Sequence, residues 1–297
     1  MTESLEDVLR KSVIAWRNNP SLGAPYLFSS IVSIFLAALY VAAVIFLLNP
    51  LQGISLAAFG QPAINWSLLA LDIVLFILLL FALALIASYF QAGAIGMSWK
   101  ALETGKTSLD DLTYYGNRKF FSVFLANMII YVPVMLIAIV LTGLQFIFPG
   151  DFTSILLALA GIVLAMFPYA IVIGDMGAFK SIGYSYDFFK ENKLQTTLLY
   201  AFTYYFSLFA TYWLILACTA IFSFSLFFIP SPGGFASINE FFSWIIPAVP
   251  IIASAGILAF VVFILAASYV LSPLAALFWA ELYLSKAKHK NHNKKND

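Results

Sequence analysis

Three side chains that could carry chemistry lie late in long apolar stretches of the chain. They are Gln91, Asp175 and Glu281. If those stretches cross a membrane, an ionisable side chain at the centre of a span costs about 2.5–3.5 kcal/mol on insertion scales, so it marks a functional site by default. We therefore take the three residues as a candidate intramembrane polar site. The alternative is that they are three unconnected residues near a membrane surface, where water reaches them.

The residue types that hydrolytic or metal chemistry requires are scarce. The two histidines, His289 and His292, lie in a lysine-rich tail, and the single cysteine, Cys218, lies in an apolar stretch. The apolar stretches therefore cannot form a Ser-His-Asp or Cys-His arrangement or a His-based metal site. A phosphate-binding Gly-x-x-x-x-Gly-Lys-Ser/Thr loop is also absent from the sequence. We predict no catalytic residues, no metal site, no cofactor and no enzymatic activity.

The 15 Lys and Arg residues fall into four cationic segments, residues 10–17, 100–119, 180–193 and 286–295. Each interval between these segments contains two apolar stretches joined by a turn without a cation. Because short loops rich in Lys and Arg stay in the cytoplasm, the pattern places all four segments and both termini on the cytoplasmic side of a cell membrane. The chain then crosses the membrane an even number of times.

Composition and length define the elements that must position these residues. Hydrophobic residues make up 63% of the chain, charged residues make up 10%, and the mean hydropathy is +0.96, whereas a soluble domain is about a quarter charged. A helix needs about 20 apolar residues to cross the hydrocarbon core. We predict an all-α polytopic membrane protein with one six-helix transmembrane domain over residues 1–284 and a basic, disordered cytoplasmic tail over residues 285–297. The predicted spans are 23–48, 66–98, 121–148, 152–176, 196–229 and 245–284.

Short amphipathic helices are predicted at the inner membrane surface. Ser4 and Asp7 have capping-box spacing before the first span, as do Ser108 and Asp111 before the third. Apolar residues recur at helical spacing after the first cap and again before the fifth span, so each stripe is expected to lie on the bilayer surface. The two stripes are Leu5, Val8, Leu9, Val13 and Trp16, and Phe179, Ile182, Tyr186 and Phe189.

Cations near these helices make anionic lipid the expected partner. Eight of them are candidates for contact with anionic headgroups: Arg10, Lys11, Arg17, Arg118, Lys119, Lys180, Lys190 and Lys193. The alternative is that the helices only anchor the spans and fix their tilt. A membrane-protein partner or a second copy of the chain is also open. Nucleic-acid binding is not expected, because the cations are spread along the membrane surface and do not form one folded basic face.

A similar order of residues precedes three of the spans. Residues 16–19, 114–117 and 189–192 each begin with an aromatic residue and end with an asparagine. One interpretation is a threefold internal repeat of a short inner helix, an outward span, a turn and an inward span. The other interpretation is a chance alignment of interfacial segments.

Prolines and glycines interrupt several predicted spans. Pro168 and Pro273 fall inside inward spans, Pro133 falls inside an outward span, and Gly93 and Gly96 fall in the second span. A kink frees backbone carbonyls that could coordinate an ion or a substrate, as broken helices do in transporters. Because Pro and Gly are common in transmembrane helices generally, this pattern alone does not identify a transporter.

One inner loop carries a family resemblance. Residues 91–97, Gln-Ala-Gly-Ala-Ile-Gly-Met, lead into residues 101–111, Ala-Leu-Glu-Thr-Gly-Lys-Thr-Ser-Leu-Asp-Asp. This stretch resembles uncharacterised prokaryotic, largely archaeal, six-helix membrane proteins, which are similar to the membrane domain of some glycerophosphodiester phosphodiesterases. The resemblance covers the whole chain in topology but only this loop in motif. The phosphodiesterase catalytic domain is missing, so the resemblance implies a fold and no activity.

We therefore predict a non-enzymatic multi-pass membrane protein that organises lipid or a partner through its inner amphipathic helices and basic tail. The alternative function is a transporter or channel for a small solute, with Gln91, Asp175 and Glu281 lining the route.

Overall fold

The fold is that of a computed structural model, which describes residues 4–55, 66–144, 152–205, 212, 216 and 261–287. Its helices are α1 (Leu5–Asn18), α2 (Ala24–Ser55), α3 (Trp66–Thr104), α4 (Leu109–Leu144), α5 (Phe152–Leu164), α6 (Phe167–Val172), α7 (Ala178–Glu191), α8 (193–205) and α9 (Val261–Ala287). A 3₁₀ turn at Pro20–Gly23 joins α1 to α2. No strand occurs in these ranges, so the all-α prediction is confirmed.

Five helical stretches are long and apolar enough to cross a membrane. They are Pro20–Val44, Ala70–Thr104, Leu109–Gly143, Phe152–Val172 and Val261–Ala287. These stretches match the predicted first to fourth and sixth spans, so a multi-pass membrane protein is confirmed. The predicted fifth span begins in α8, and beyond residue 205 it lies outside the described residues except at 212 and 216. Residues 245–260 of the sixth span and 288–297 of the tail also lie outside them, whereas 285–287 belong to α9.

Two of the helices are much longer than a membrane crossing. The 39 residues of α3 extend over about 58 Å at 1.5 Å per residue, and the 36 residues of α4 over about 54 Å, whereas the hydrocarbon core is about 30 Å thick. The cap predicted at Ser108 and Asp111 therefore does not begin a separate inner helix. It begins the same continuous helix that forms the third span.

The antiparallel pair α3 and α4 packs closely because glycine removes side-chain bulk at the contact. A methyl group placed on Gly93 would lie 2.7 Å from the backbone oxygen of Leu112, and one placed on Gly96 would lie 2.5 Å from the Cβ of Tyr115. Real contacts of this kind are longer, so neither position has room for a larger residue. These glycines, at which a kink or close helix packing was expected, bring two helices together.

A tyrosine side chain occupies the space opposite a glycine at several other helix contacts. The pairs are Gly116 with Tyr89, Gly23 with Tyr269, Gly161 with Tyr200, and Gly174 with Tyr283. Because transmembrane helices gain little from the hydrophobic effect against one another, such close steric fit carries much of their association.

Helix α1 begins at the predicted capping box. The Ser4 hydroxyl oxygen accepts a hydrogen bond from the Asp7 backbone N–H at 3.2 Å, and the Asp7 carboxylate accepts one from the Ser4 backbone N–H at 3.2 Å. Hydrogen bonds from the Ser4 hydroxyl and backbone N–H hold the pKa of the Asp7 carboxyl below its ordinary value. The capping prediction is confirmed.

The apolar stripe predicted for α1 does not all face the bilayer. Val8 is 1% exposed and packs into the bundle together with Ser12 and Ala15, whereas Val13 and Ile14 are about half exposed on another face. The expectation that the whole stripe lies on the membrane surface is therefore wrong. The buried face of α1 fixes the helix to the protein, and a different face points outward.

Burial is concentrated at one end of the bundle. Large side chains in the first half of α3 and the second half of α4 are exposed, for example Leu78 and Ile139, as expected for surfaces that face lipid. The tightly packed core lies where α3, α4, α6 and α9 meet, around Val123, Ile171 and Leu282. This is the end of the bundle that carries α1, α7 and the turn between α3 and α4.

Candidate functional site

Contacts of α1 and its end join the first cationic segment to the second. They also join it to α9, which leads into the fourth. The side-chain amide of Asn19 donates a hydrogen bond to the backbone oxygen of Gly105 at 3.1 Å. The Lys11 ammonium lies 3.2 Å from the carboxylate of Glu281, which is largely buried. Two contacts thus tie α1 to the α3–α4 turn and to the end of α9.

The third cationic segment joins the same assembly. Lys119 on α4 forms an ion pair with Asp175, which lies just before α7. Lys190 on α7 and Lys286 on α9 line one cavity. The described parts of all four cationic segments therefore lie at one end of the bundle, and we refer to this end as the cationic end.

Asn19 is the central connection at the cationic end. It is 5% exposed, its amide group donates to the carbonyls of Ala15 at 2.9 Å and Gly105 at 3.1 Å, and its side-chain oxygen accepts from the Thr107 backbone N–H at 3.0 Å. Gly105 has a φ of +78°, a conformation that glycine adopts without strain. The asparagine thereby closes α1 and holds the α3–α4 turn with one side chain.

A second polar cluster fixes the start of α4. The Lys100 ammonium donates to one carboxylate oxygen of Asp111 at 2.6 Å. The other oxygen accepts from the Ser108 backbone N–H at 2.9 Å and from the Thr107 hydroxyl at 3.1 Å. Thr107, Ser108 and Asp111 belong to the stretch on which the predicted resemblance rests, Lys100 lies on α3 just outside the quoted residues, and the contacts of all four support the turn itself.

The outward face of α1 combines cations with apolar side chains. Arg10, Val13, Ile14 and Arg17 follow one another at helical spacing, and all four are exposed. Two apolar residues therefore lie between two arginines on one surface. Because the opposite face is packed into the bundle, this surface has a fixed direction.

The outward face of α7 has the same character. Phe179 is 73% exposed and Tyr186 is 47% exposed, and the Lys190 ammonium lies 4.3 Å from the centre of the Tyr186 ring, within the range of a cation–π contact. Lys180, Lys193 and Leu194 are exposed nearby in the chain. We refer to the exposed faces of α1 and α7, with residues 193 and 194, as the inner amphipathic surface.

The eight predicted headgroup contacts differ in accessibility. Seven of them are exposed, although Lys11 pairs with Glu281 and Arg118 donates to the Tyr114 hydroxyl at 2.7 Å. The side chain of Lys119 is only 12% exposed. Lys119 therefore holds the protein together and is not placed to contact a headgroup.

The three residues of the predicted intramembrane site have different partners in the part of the chain that the structure describes. Asp175 and Glu281 pair with the lysines described above, whereas the Gln91 side-chain oxygen accepts a hydrogen bond from Asn127 at 3.3 Å. The Asp175 side chain is 69% exposed, and its φ of +52° lies in the left-handed region, which aspartate tolerates better than most residues. That the three form one site stays a prediction.

Gln91 lines a cavity of about 420 Å³ between the helices. The wall is built from α3, α4, α5, α6, α8 and α9, and it includes Ile130, Leu157, Tyr200 and Trp279. Neither Asp175 nor Glu281 belongs to its described lining. The cavity combines a mostly apolar wall with a few polar groups, as is usual for small-molecule sites.

Two backbone groups in the break between α5 and α6, next to Pro168, are bonded to a side chain of α7. The Ser185 hydroxyl on α7 accepts a hydrogen bond from the Met166 N–H at 3.1 Å and donates one to the Val163 carbonyl at 3.0 Å. That the kink beside Pro168 offers carbonyls to an ion or substrate stays a prediction, although the Val163 carbonyl already has a partner. A side chain of the inner helix already satisfies it.

Helices α1 and α7, which belong to the first and third copies of the predicted repeat, resemble each other in several features. Each has 14 residues, and a buried serine, Ser12 or Ser185, lies seven residues before Asn19 or Asn192. Each asparagine donates to the backbone carbonyl four residues earlier, at 2.9 and 3.1 Å. Asn117, in contrast, is exposed within the continuous helix α4. The threefold repeat stays a prediction, since the second copy differs from the other two.

Sequence reasoning missed the roles of Ser185, Asn127 and Asn19. The repeated asparagine was a usable signal for Asn19, because it marked the end of two inner helices. No comparable signal marks the other two residues, since a serine and an asparagine are ordinary in such segments. Comparison with protein-family models, with characterised proteins and with solved structures gives no match to this chain, so the family resemblance stays a prediction.

Proposed function

We propose that this chain is a non-enzymatic multi-pass protein of the cell membrane that binds anionic lipid headgroups through its inner amphipathic surface. The observation that carries the proposal is the two-faced character of α1 and α7. Each helix packs one face into the bundle and leaves an outward face on which exposed apolar side chains lie beside exposed cations.

The proposed orientation follows from charge. The described parts of all four cationic segments lie at one end, and segments rich in Lys and Arg stay on the cytoplasmic side. This end would therefore face the inner leaflet, where the anionic lipids concentrate. Each cation near such a surface contributes about 1 kcal/mol.

The anchoring of the two helices supports headgroup binding. Val8 and Ser12 fix α1, and Ser181 and Ser185 fix α7, by burial against the bundle. Because the helices are held before lipid arrives, little conformational freedom is lost on binding. The exposed Phe179 and Ile14 can then insert at the headgroup level while the neighbouring cations contact phosphate.

The test uses purified protein in neutral detergent, titrated with phosphatidylglycerol or phosphatidylcholine. Bound lipid is counted by native mass spectrometry. The test variant replaces five exposed cations by glutamine, R10Q, R17Q, K180Q, K190Q and K193Q. At about 1 kcal/mol for each cation, affinity for phosphatidylglycerol should fall by tenfold or more, and phosphatidylcholine binding should change little.

The matched control replaces each of the same five cations by the other basic residue, R10K, R17K, K180R, K190R and K193R. It keeps the charge and should keep phosphatidylglycerol binding. Equal affinity of the wild type for the two lipids, or unchanged phosphatidylglycerol binding in the glutamine variant, would contradict the proposal. A membrane-protein partner or a second copy of the chain would then be the next candidate for this surface.

Transport of a small solute is the second candidate function, and the observation that favours it is the cavity beside Gln91. For this function, the path of the solute from the cavity would also have to pass Asp175, which is exposed and paired with Lys119. Proteoliposomes that contain the Asp175→Asn variant test this arrangement, since a route through Asp175 requires altered flux.

A further inference from the structure

The cavity beside Gln91 has the size of a ligand site. Its volume is about 420 Å³, within the range of about 300–1,000 Å³ that is usual for small-molecule sites. It lies between helices of the candidate membrane spans and α8, with which the predicted fifth span begins. It is separate from the inner amphipathic surface, since none of that surface's residues is in its lining.

The cavity is reached from the side of the bundle. Tyr131 and Leu157, at its rim, are 53% and 45% exposed, whereas Ile130, Phe167 and Trp279 are each less than 9% exposed. Exposed rim residues on α4 and α5 face the region that lipid chains fill. A molecule dissolved in the bilayer could therefore enter without crossing the cationic end.

One polar group on the wall, the Gln91 amide, can donate a hydrogen bond to a ligand. The Gln91 oxygen accepts a bond from Asn127, which also donates to the Ser88 hydroxyl at 3.1 Å. The Gln91 NH₂ group is then left for a ligand, and the buried side-chain oxygen of Asn127 has no partner in the described structure. Gln91 lies nine residues before Lys100 on α3, about 14 Å deeper at 1.5 Å per residue.

Charge on the ligand is disfavoured. None of the described lining residues is ionised at neutral pH, and residues 206–260 contribute a single charged residue to the sequence, Glu240. A charged group in an apolar cavity without a counter-charge is strongly disfavoured. The site therefore favours neutral molecules.

We propose that this cavity binds a neutral single-chain amphiphile taken from the bilayer. Its hydrocarbon chain packs against Ile130, Leu157 and Trp279, and a carbonyl oxygen such as that of an ester accepts a hydrogen bond from the Gln91 amide. This binding does not depend on the inner amphipathic surface, so either proposal can fail without the other.

The test uses the full-length protein in phosphatidylcholine nanodiscs and three photoactivatable probes. The first is a palmitic acid methyl ester with a diazirine in its chain, the second is the corresponding free acid, and the third is the corresponding hydrocarbon without the ester. Labelled peptides are identified by mass spectrometry. The ester should label segments around Ile130 and Leu157 more strongly than the acid does.

Two variants separate the cavity from the lipid-facing surface. Ala160, a lining residue, is replaced by phenylalanine to fill the cavity, and the matched control is Leu159→Phe at a neighbouring position that is 57% exposed. Ala160→Phe should reduce ester labelling at least about fivefold because the added ring takes the ligand's space. Leu159→Phe should leave the labelling unchanged.

A third variant tests the hydrogen bond. Gln91→Leu should reduce ester labelling by about threefold to tenfold, the loss expected for one hydrogen bond, while labelling by the hydrocarbon probe stays the same. Retained hydrocarbon labelling also shows that the variant is folded. Equal labelling in Ala160→Phe and Leu159→Phe, or equal labelling of the wild type by ester and acid, would overturn the proposal.

Discussion

The hydroxyl oxygen of Ser185 accepts a hydrogen bond from the backbone N–H of Met166, in the break between α5 and α6. The same hydroxyl donates to Val163. A serine on the inner helix α7 thus takes the place of missing helix hydrogen bonds inside a neighbouring span. The position of α7 and the shape of the broken span are therefore coupled.

Replacement of Ser185 by alanine should destabilise the protein by about 1–3 kcal/mol, because it leaves buried backbone groups without a partner. The matched control is Ser12→Ala on α1. Its hydroxyl is also buried but bonds only to the Val8 carbonyl of its own helix, so we expect a loss of less than about 0.5 kcal/mol. Thermal unfolding in detergent checks both variants, and equal losses would contradict this coupling.

Asn19→Ala should be one of the more damaging single substitutions at the cationic end. It removes hydrogen bonds to Ala15, Gly105 and Thr107, and the expected cost is about 2–4 kcal/mol. The neighbouring Asn18 is exposed, so Asn18→Ala serves as the control and should change stability little. The fraction of protein that stays monodisperse after heating measures the difference. A similar loss for both variants would argue against the connecting role of Asn19.

The ion pair between Lys119 and Asp175 should respond asymmetrically to substitution. Asp175→Asn leaves the largely buried Lys119 ammonium without its carboxylate and should cost about 1–3 kcal/mol, while asparagine tolerates the left-handed backbone. Lys119→Met leaves only an exposed carboxylate and should cost less than about 1 kcal/mol. The double variant should resemble Lys119→Met. Unfolding midpoints in denaturant rank the three variants by stability. A larger loss for Lys119→Met than for Asp175→Asn would refute the prediction.

Two glycines should respond to alanine in opposite directions. Gly96→Ala places a methyl group against Tyr115 and should destabilise the protein by about 1–3 kcal/mol through overpacking. Gly183 on α7 is exposed and has open space around it, so Gly183→Ala should stabilise the helix by about 0.5–1 kcal/mol. Apparent melting temperatures of the two variants decide this, and a stabilised Gly96→Ala would show that the α3–α4 contact is looser than described.

The sequence was sufficient for those parts of the fold that depend on composition and periodicity. Long apolar stretches must be helical in a membrane because every backbone group needs an internal partner, so α2 and α3 were predictable. The capping box at Ser4 was predictable because its hydrogen bonds are local. The separate inner helix expected after Ser108 was wrong, since α4 continues from its polar first turns through the predicted third span without a break.

Contacts between distant residues were beyond sequence reasoning. Lys119 and Asp175 lie 56 positions apart, and nothing in their own neighbourhoods selects this pair over other partners. Asp175 was placed in a membrane site because it follows an apolar stretch, yet it is an exposed residue in the turn before α7. Gln91 lines the cavity described above, and this could not be predicted because the cavity depends on the tertiary packing of six helices.

The attachment points of α1 impose an order on biosynthesis. Its last turn is held by residues 105–107 and its middle by Glu281, so its two attachments form with parts of the chain that are made at different times. Until residue 281 has been made, the Lys11–Glu281 pair cannot exist, whereas α3 and α4 can pair as soon as their own hairpin has been inserted. Docking of α1 would thus take place in two steps: its last turn can attach once the α3–α4 turn exists, and its middle attaches only after α9 has been made.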